Sequence, residues 1–113
     1  ARAPVTDWAH YSDGWTSRIL GVPQTDTAAY RRSSPIFFAE GLRDHLLVEH
    51  GLVDDNVHFQ DTARLVQRLL ELEKEFEVMY YPTEPHVVET ETSRYDQAKR
   101  AARFFDQHLR GRP

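Results

Sequence analysis

The amino-acid sequence predicts an α/β fold in which parallel strands alternate with helices. Residues 46–51 and 76–82 are rich in β-branched, aromatic and other apolar side chains, as buried strands are. Each is followed by a segment with apolar residues at helical spacing. Strands that alternate with helices pair in parallel through right-handed crossovers. With residues 1–8 as a third strand running into a loop, the sheet is too small to cover its own edges, so we expect it to be incomplete.

Two long amphipathic helices are the most regular part of the pattern, at residues 59–76 and 94–109. The apolar positions of the first are Leu65, Val66, Leu69, Leu72 and Phe76. Those of the second are Tyr95, Ala98, Ala102, Phe105 and Leu109. Before the first strand of this pair, residues 11–21 are predicted to be a helix that ends at Gly21, and residues 22–32 a connecting loop. Ser34 and Pro35 are typical of the start of a short helix or turn.

Composition limits the class of protein. The chain of 113 residues suits one domain, and with 28% charged residues it reads as globular. A net charge of -4 does not favour nucleic acid or an anionic membrane as a partner. The absence of cysteine excludes disulfides and thiolate chemistry, and no run approaches the roughly 18 apolar residues of a membrane span. Because the chain starts with Ala1, we expect it to be part of a longer protein; its compartment is undetermined.

Ionisable side chains follow both central strands. Asp54 and Asp55 come after the first, and His86 after the second. The carboxyl ends of neighbouring parallel strands share one edge of the sheet, so an aspartate can approach His86. An aspartate that accepts the Nδ1–H of a histidine orients it as the base of a nucleophilic triad, and this order, Asp before His, occurs in α/β-hydrolases. No G-x-S-x-G is present, since none of the serines at positions 12, 17, 33, 34 and 93 has a glycine both two residues before it and two residues after it.

Other roles are open for these residues. Asp54 would otherwise be a turn or cap residue and His86 a surface histidine, while Asp55 is expected to bind local backbone donors. His50 and His58 flank the aspartates, but strand-and-loop spacing makes a metal site the weaker reading. The remaining histidines, at positions 10, 45 and 108, are expected to be surface groups.

Three segments resemble the prolyl oligopeptidase family, nearest to its dipeptidyl peptidase IV branch. "HGLVDDNVHFQDT" is similar to the segment around that family's catalytic aspartate. "APVTDWAHYSDGWTSRILGVP" resembles the segment after the nucleophile elbow, and "YYPTEPHVVE" the loop with the catalytic histidine. The resemblance implies the carboxyl-terminal portion of an α/β-hydrolase catalytic domain over residues 1–113. The nucleophile-bearing part and a β-propeller would then lie outside these residues.

The resemblance also implies roles for individual residues. Asp54 would be the triad aspartate, His86 the general base, and Asn56 a contact to the substrate backbone. The walls of a proline-accepting pocket would be Val5, Trp8, Tyr11, Trp15 and Val57. Trp15 stands where the family usually has a tyrosine, and Val87 where it commonly has a glycine.

The implied function is that of a serine exopeptidase of dipeptidyl-peptidase type with a preference for proline, acting on peptides without a metal or organic cofactor. This chain would supply the Asp and His, lack the nucleophile, and be inactive alone. Two alternatives stay open: a stand-alone interaction module derived from the domain, and part of an acylpeptide hydrolase or carboxylesterase. The resemblance leaves self-association into a homo-oligomer undecided.

Overall fold

The computed structural model describes residues 1–110 as four helices and two strands, joined by short 3₁₀ turns. In chain order these are α1 (Asp13–Leu20), α2 (Thr27–Ser33), β1 (Leu47–Gly51), α3 (Gln60–Glu71), β2 (Glu77–Tyr81) and α4 (Glu91–Leu109). The 3₁₀ turns are Trp8–His10 and Pro35–Gly41. None of these helices is both long enough and apolar enough to cross a membrane.

The two strands form a parallel pair, as predicted, with Leu47 opposite Glu77 and Gly51 opposite Tyr81. All five residues of β1 are buried, because β1 has β2 along one edge and the chain's first residues along the other. The α3 helix is the crossover that brings the chain back to start β2 beside β1. The carboxyl ends of both strands therefore meet at one edge.

The prediction of a third strand at residues 1–8 was wrong. Within residues 1–110 this segment forms one isolated parallel bridge, between Arg2 and Glu49, with the Ala3 N–H donating to the Glu49 carbonyl at 2.8 Å. Pro4 has no N–H to continue the ladder, and Ala3 has a left-handed φ of 40° that turns the chain away. The Asp7 side chain then caps the Trp8–His10 turn by accepting the Ala9 N–H at 3.1 Å.

The two long helices are confirmed, with shifted ends. The α3 helix stops five residues before the predicted end, since Glu73 adopts a left-handed φ of 53°. The α4 helix begins at Glu91, three residues early, because the Thr90 hydroxyl oxygen accepts the Ser93 N–H at 3.3 Å.

The α2 helix occupies part of the predicted connecting loop, so that prediction was also wrong. Asp26 caps it by accepting the Ala29 N–H at 3.0 Å. The buried Tyr30 donates its O–H to the Gly21 carbonyl at 2.8 Å. With so few apolar residues, α2 depends on a cap and one tertiary hydrogen bond, which a periodicity search does not detect.

The hydrophobic core lies between β1, α3 and the Pro35–Gly41 turn. Its buried members are Ala39, Val48, Leu65 and Leu69. Asp61, at the start of α3, also holds the amino-terminal segment: its Oδ2 accepts the backbone N–H groups of Thr6 at 2.8 Å and Asp7 at 3.3 Å. The segment with the candidate pocket residues is thereby fixed to the helix that follows the aspartate loop.

Candidate active site

Asp54 and His86 meet at the carboxyl edge of the sheet. The His86 Nδ1 lies 2.9 Å from the Asp54 Oδ2. Backbone hydrogen bonds hold the two loops together, because the Leu52 N–H donates to the Tyr81 carbonyl at 3.0 Å and the Val53 N–H to the Glu84 carbonyl at 3.2 Å. The expected approach of an aspartate to His86 is therefore confirmed, and the aspartate is the first of the two.

The Asp54 carboxylate is completely covered and saturated with donors. Its Oδ1 accepts the backbone N–H groups of Asn56 and Val57, each at 2.9 Å. Burial raises the pKa of Asp54, but the hydrogen bonds from His86, Val57 and Asn56 outweigh it and hold that pKa below its usual value. Asp54 is therefore an anion at neutral pH, in the form that can accept a hydrogen bond from an imidazole.

Asp55 does not have the structural role that we expected. Its side chain is exposed, and it is Asp54 that binds the local backbone donors. The Asp54 carboxylate accepts both the loop's backbone N–H groups and the His86 ring, and the Asp55 carboxylate is left in solvent.

His86 is only partly covered by the rest of the chain. Because a carboxylate can only accept, the Nδ1 facing Asp54 carries the proton and Nε2 is left as an acceptor. The side chain is 38% exposed. His86 also borders a cavity of about 280 Å³, whose lining includes Arg2, Glu49 and Tyr81. The ring is thus oriented by Asp54 and is partly accessible to a reacting group.

The loop that carries His86 is fixed by Glu84. The Glu84 carboxylate accepts the Thr90 hydroxyl and the Glu89 N–H, the latter at 2.7 Å. These hydrogen bonds, that of Thr90 first, lower the pKa of Glu84 to about 2. Gly51 faces the same loop, and a Cβ at that position would lie 2.5 Å from the Pro85 carbonyl oxygen and closer still to that of Glu84. The loop therefore sits directly against the end of β1.

His50 is a buried hydrogen-bonding residue. It is 1% exposed, and its Nε2 lies 3.0 Å from Asp54 Oδ2 and 2.8 Å from the Val57 carbonyl oxygen. Its Nδ1 lies 2.7 Å from the Thr62 hydroxyl. His58 is exposed. Within residues 1–110, no three His, Asp or Glu side chains are arranged to hold a metal ion.

The aromatic candidates for the substrate pocket form one cluster. Trp8 stacks on Trp15 with ring centroids 5.8 Å apart, and Tyr11 meets both rings edge to face. The Tyr11 O–H donates to Asn56 Oδ1 at 2.9 Å. Because Asn56 is two residues from Asp54, the cluster is joined directly to the aspartate loop.

The other two pocket candidates, Val5 and Val57, do not line the cavity beside this aromatic cluster. Trp8 and Trp15 border an apolar cavity of about 190 Å³ together with Ile19 and Leu20. Neither Val5 nor Val57 lines that cavity. Val5 is half-buried, and Val57 is buried with its carbonyl oxygen bonded to the His50 ring. Trp15 is 51% exposed, so its side of the aromatic cluster faces solvent.

The histidines expected at the surface are only partly so. His45 and His108 stack with centroids 3.7 Å apart, and the His108 side chain is 15% exposed. Their contact joins the end of α4 to the residues before β1. His10 is exposed and lies against Arg64.

Comparison with known proteins gives the family. The model of the prolyl oligopeptidase family matches residues 1–112, almost the whole chain. The chain belongs to the prolyl oligopeptidase family. It thus has part of the α/β-hydrolase fold predicted from the sequence, with parallel strands that alternate with helices in an incomplete sheet.

Individual members of the prolyl oligopeptidase family match over most of this chain. It is 38% identical to human prolyl endopeptidase FAP over 90 residues, which are 76% of this chain. It is 35% identical to bovine dipeptidyl peptidase 4 over 97 residues, 82% of this chain. The crystal structure of Porphyromonas gingivalis dipeptidyl peptidase 4 superposes with a TM-score of 0.93 at 31% identity, over 96% of this chain and 15% of that one. The chain spans about 12% of the length of these two curated relatives.

Two residues of this candidate site are not predicted from the sequence. Glu84 was given no role, and nothing in its spacing showed that its carboxylate would turn back to residues 89 and 90. His50 was considered only as a metal ligand, although its place in a buried strand was a signal that its ring would need internal partners.

Proposed function

We propose that this chain supplies the aspartate and the histidine of a Ser–Asp–His triad in a serine exopeptidase of dipeptidyl-peptidase type. The observation that carries the proposal is the 2.9 Å contact between His86 Nδ1 and Asp54 Oδ2, with His86 partly exposed beyond it. A buried carboxylate that fixes an imidazole tautomer, with the other nitrogen open, is the orienter-and-base half of such a triad.

In the proposed reaction, His86 Nε2 takes the proton of a serine hydroxyl as its oxygen attacks the peptide carbonyl. Asp54 stabilises the imidazolium that results. His86 then passes the proton to the leaving amine, and the acyl-enzyme forms. Water, deprotonated by the same ring, hydrolyses the acyl group and regenerates the serine. The proposed mechanism requires no metal or organic cofactor.

We infer that the substrate is a peptide with proline before the scissile bond. A flat apolar wall suits a pyrrolidine ring, which needs no polar partner, and Trp8, Tyr11 and Trp15 supply such a surface beside the Asp54 loop. Val5 and Val57 complete the proposed wall, and Asn56 the contact to the substrate backbone. The two named relatives, a prolyl endopeptidase and a dipeptidyl peptidase, support this choice.

The serine is proposed to come from outside these residues. Residues 1–113 are then the carboxyl-terminal segment of the catalytic domain, and the nucleophile-bearing part and a β-propeller belong to the rest of the protein. The segment's partners are that remainder and the peptide. The exposed aromatic wall and the two-stranded sheet are consistent with surfaces that such a remainder covers.

The test is hydrolysis of a Gly-Pro amide reporter by the complete protein. Asp54→Asn and His86→Ala should lower turnover by several orders of magnitude, whereas Asp55→Asn and His58→Ala, which change exposed neighbours, should leave it nearly intact. Equal losses in all four variants would contradict the assignment.

Two further measurements define the activity. The 113-residue chain alone should hydrolyse nothing, and adding the nucleophile-bearing segment should restore turnover that a serine-directed phosphonate blocks. Comparing simple esters and acylated peptides with X-Pro substrates tests the exopeptidase assignment. Faster turnover of esters or N-acylated peptides would assign the same Asp–His pair to a carboxylesterase or an acylpeptide hydrolase instead.

A further inference from the structure

The Asp54 carboxylate binds two imidazoles through a single oxygen. His86 Nδ1 and His50 Nε2 lie 2.9 Å and 3.0 Å from the same Oδ2. The two rings come from different places, since His86 is on the loop after β2 and His50 is inside β1. They also differ in exposure: the His86 side chain is 38% exposed and that of His50 is completely covered. Only His86 can meet a substrate, so the second ring has another task.

The contacts of His50 define its tautomer. Nε2 faces the Asp54 carboxylate and the Val57 carbonyl, and neither oxygen can donate, so Nε2 carries a proton. Nδ1 faces the Thr62 hydroxyl, which can donate to it. A neutral ring protonated on Nε2 therefore has every polar atom satisfied, without the cost of a buried charge.

We propose that His50 is a positioning residue, which holds Asp54 Oδ2 at the place where His86 binds it and keeps the aspartate loop on the sheet. This inference rests on the proposed function, because it assigns to His50 a part in orienting the base. The Val57 carbonyl and the Thr62 hydroxyl extend the same anchor to the far end of the loop and to α3.

Without His50, the other contacts would fix Asp54 incompletely. The backbone donors of Asn56 and Val57 bind Oδ1 only, and they belong to the same loop as Asp54. Oδ2 would then be held by His86 alone, a half-exposed ring on a separate loop. The other charged or titratable groups beside His86 are engaged elsewhere: Arg2 with Glu49 at 2.9 Å, and Tyr81 with Asp96 at 2.9 Å. None of these contacts substitutes for the His50 N–H.

The first test reads the hydrogen bonds by NMR of the complete protein, with no need for turnover. Long-range ¹H–¹⁵N spectra should show His50 as the Nε2–H tautomer, and a low-field proton should mark the His86 Nδ1–H bond to Asp54. His50→Phe should broaden or remove the low-field proton, and His50→Gln, which retains an N–H donor, should preserve it. A His50 ring protonated on Nδ1, or a low-field proton unchanged in His50→Phe, would overturn the proposal.

The second test measures kinetics in the complete protein. Displacement of a positioned group by about 1 Å can cost roughly 10²-fold in rate, so His50→Phe should lower kcat by about that factor with KM nearly unchanged. His50→Gln should recover most of the loss. If His50→Phe does not fold, Thr62→Val serves instead: losing the donor to Nδ1 should lower kcat, whereas Thr25→Val, which removes an exposed hydroxyl bonded only to the Val22 carbonyl, should not.

The two proposals fail differently. Unchanged turnover in Asp54→Asn would reject the proposed function even with the NMR pattern intact. Full kcat in both His50→Phe and Thr62→Val, with Asp54→Asn inactive, would reject the role of His50 alone.

Discussion

The Asp54 carboxylate and the His86 ring, 32 positions apart in the sequence, lie 2.9 Å apart because two parallel strands end side by side. The contact depends on the register of five residue pairs and on a loop in which the Asn56 and Val57 N–H groups bind the Asp54 carboxylate. The pairing of the two strands therefore sets the distance between the two residues of the proposed triad.

Asp54→Asn should lower kcat of the complete protein by roughly 10⁴-fold, as in other triads where an amide replaces the orienting carboxylate. The amide places a donor or a weaker acceptor against the imidazole and favours the wrong tautomer. Steady-state kinetics on a proline-containing amide measure the effect, with Asp55→Asn as the matched control. A loss below about tenfold would mean that Asp54 does not orient the base.

Glu84→Gln should remove a pH dependence of stability between about pH 4.5 and pH 2. The pKa of Glu84 is lowered from 4.5 to about 2 in the folded chain, so its stabilisation is full above pH 4.5 and is lost as pH falls through 2. Urea unfolding at several pH values measures the slope. Glu75→Gln, at an exposed glutamate, is the control and should retain the wild-type slope. Equal slopes in wild type and Glu84→Gln would show that the loop is held by other contacts.

Gly51→Ala should destabilise the chain and displace the His86 loop. The added Cβ would collide with the carbonyl oxygens of Glu84 and Pro85, which are backbone atoms and cannot rotate away. Overpacking of this kind typically costs 1–3 kcal/mol, about the loss expected in unfolding measurements. Gly14→Ala is the control, since nothing lies within 4 Å of the added atom. Gly14 lies in the first turn of α1, where that change should not lower stability. A Gly51→Ala variant as stable as wild type would contradict the close approach of the two loops.

Tyr81 should stay protonated to about pH 12. Burial, and then its hydrogen bond to Asp96, raise the pKa of Tyr81 from 10 to about 12. In the unfolded chain the phenol ionises near pH 10, so stability should fall between pH 10 and 12. Difference absorbance of wild type and Tyr81→Phe at the phenolate band measures the titration. If Tyr81 ionises near pH 10 in the folded chain, its phenol is not buried against α4.

The sequence by itself determined the parallel α/β arrangement, the two long helices and the approach of an aspartate, at position 54 or 55, to His86. The helices follow from the local spacing of apolar residues, and the aspartate–histidine approach follows from the rule that neighbouring parallel strands end at a common edge. The local pattern and the strand order can both be read from the sequence. The resemblance in "HGLVDDNVHFQDT" named the family, which the comparisons confirm.

Only the tertiary structure decided the rest. Residues 1–8 form a single bridge instead of a strand, and α2 forms where the sequence predicts a loop. Asp54, and not Asp55, contacts His86, while His50 and Glu84 form hydrogen bonds at the site. These outcomes depend on hydrogen bonds between groups far apart in the chain or on backbone turns with no periodic signature. A buried polar side chain must find a partner, but which partner it finds is set by how the strands and loops pack together.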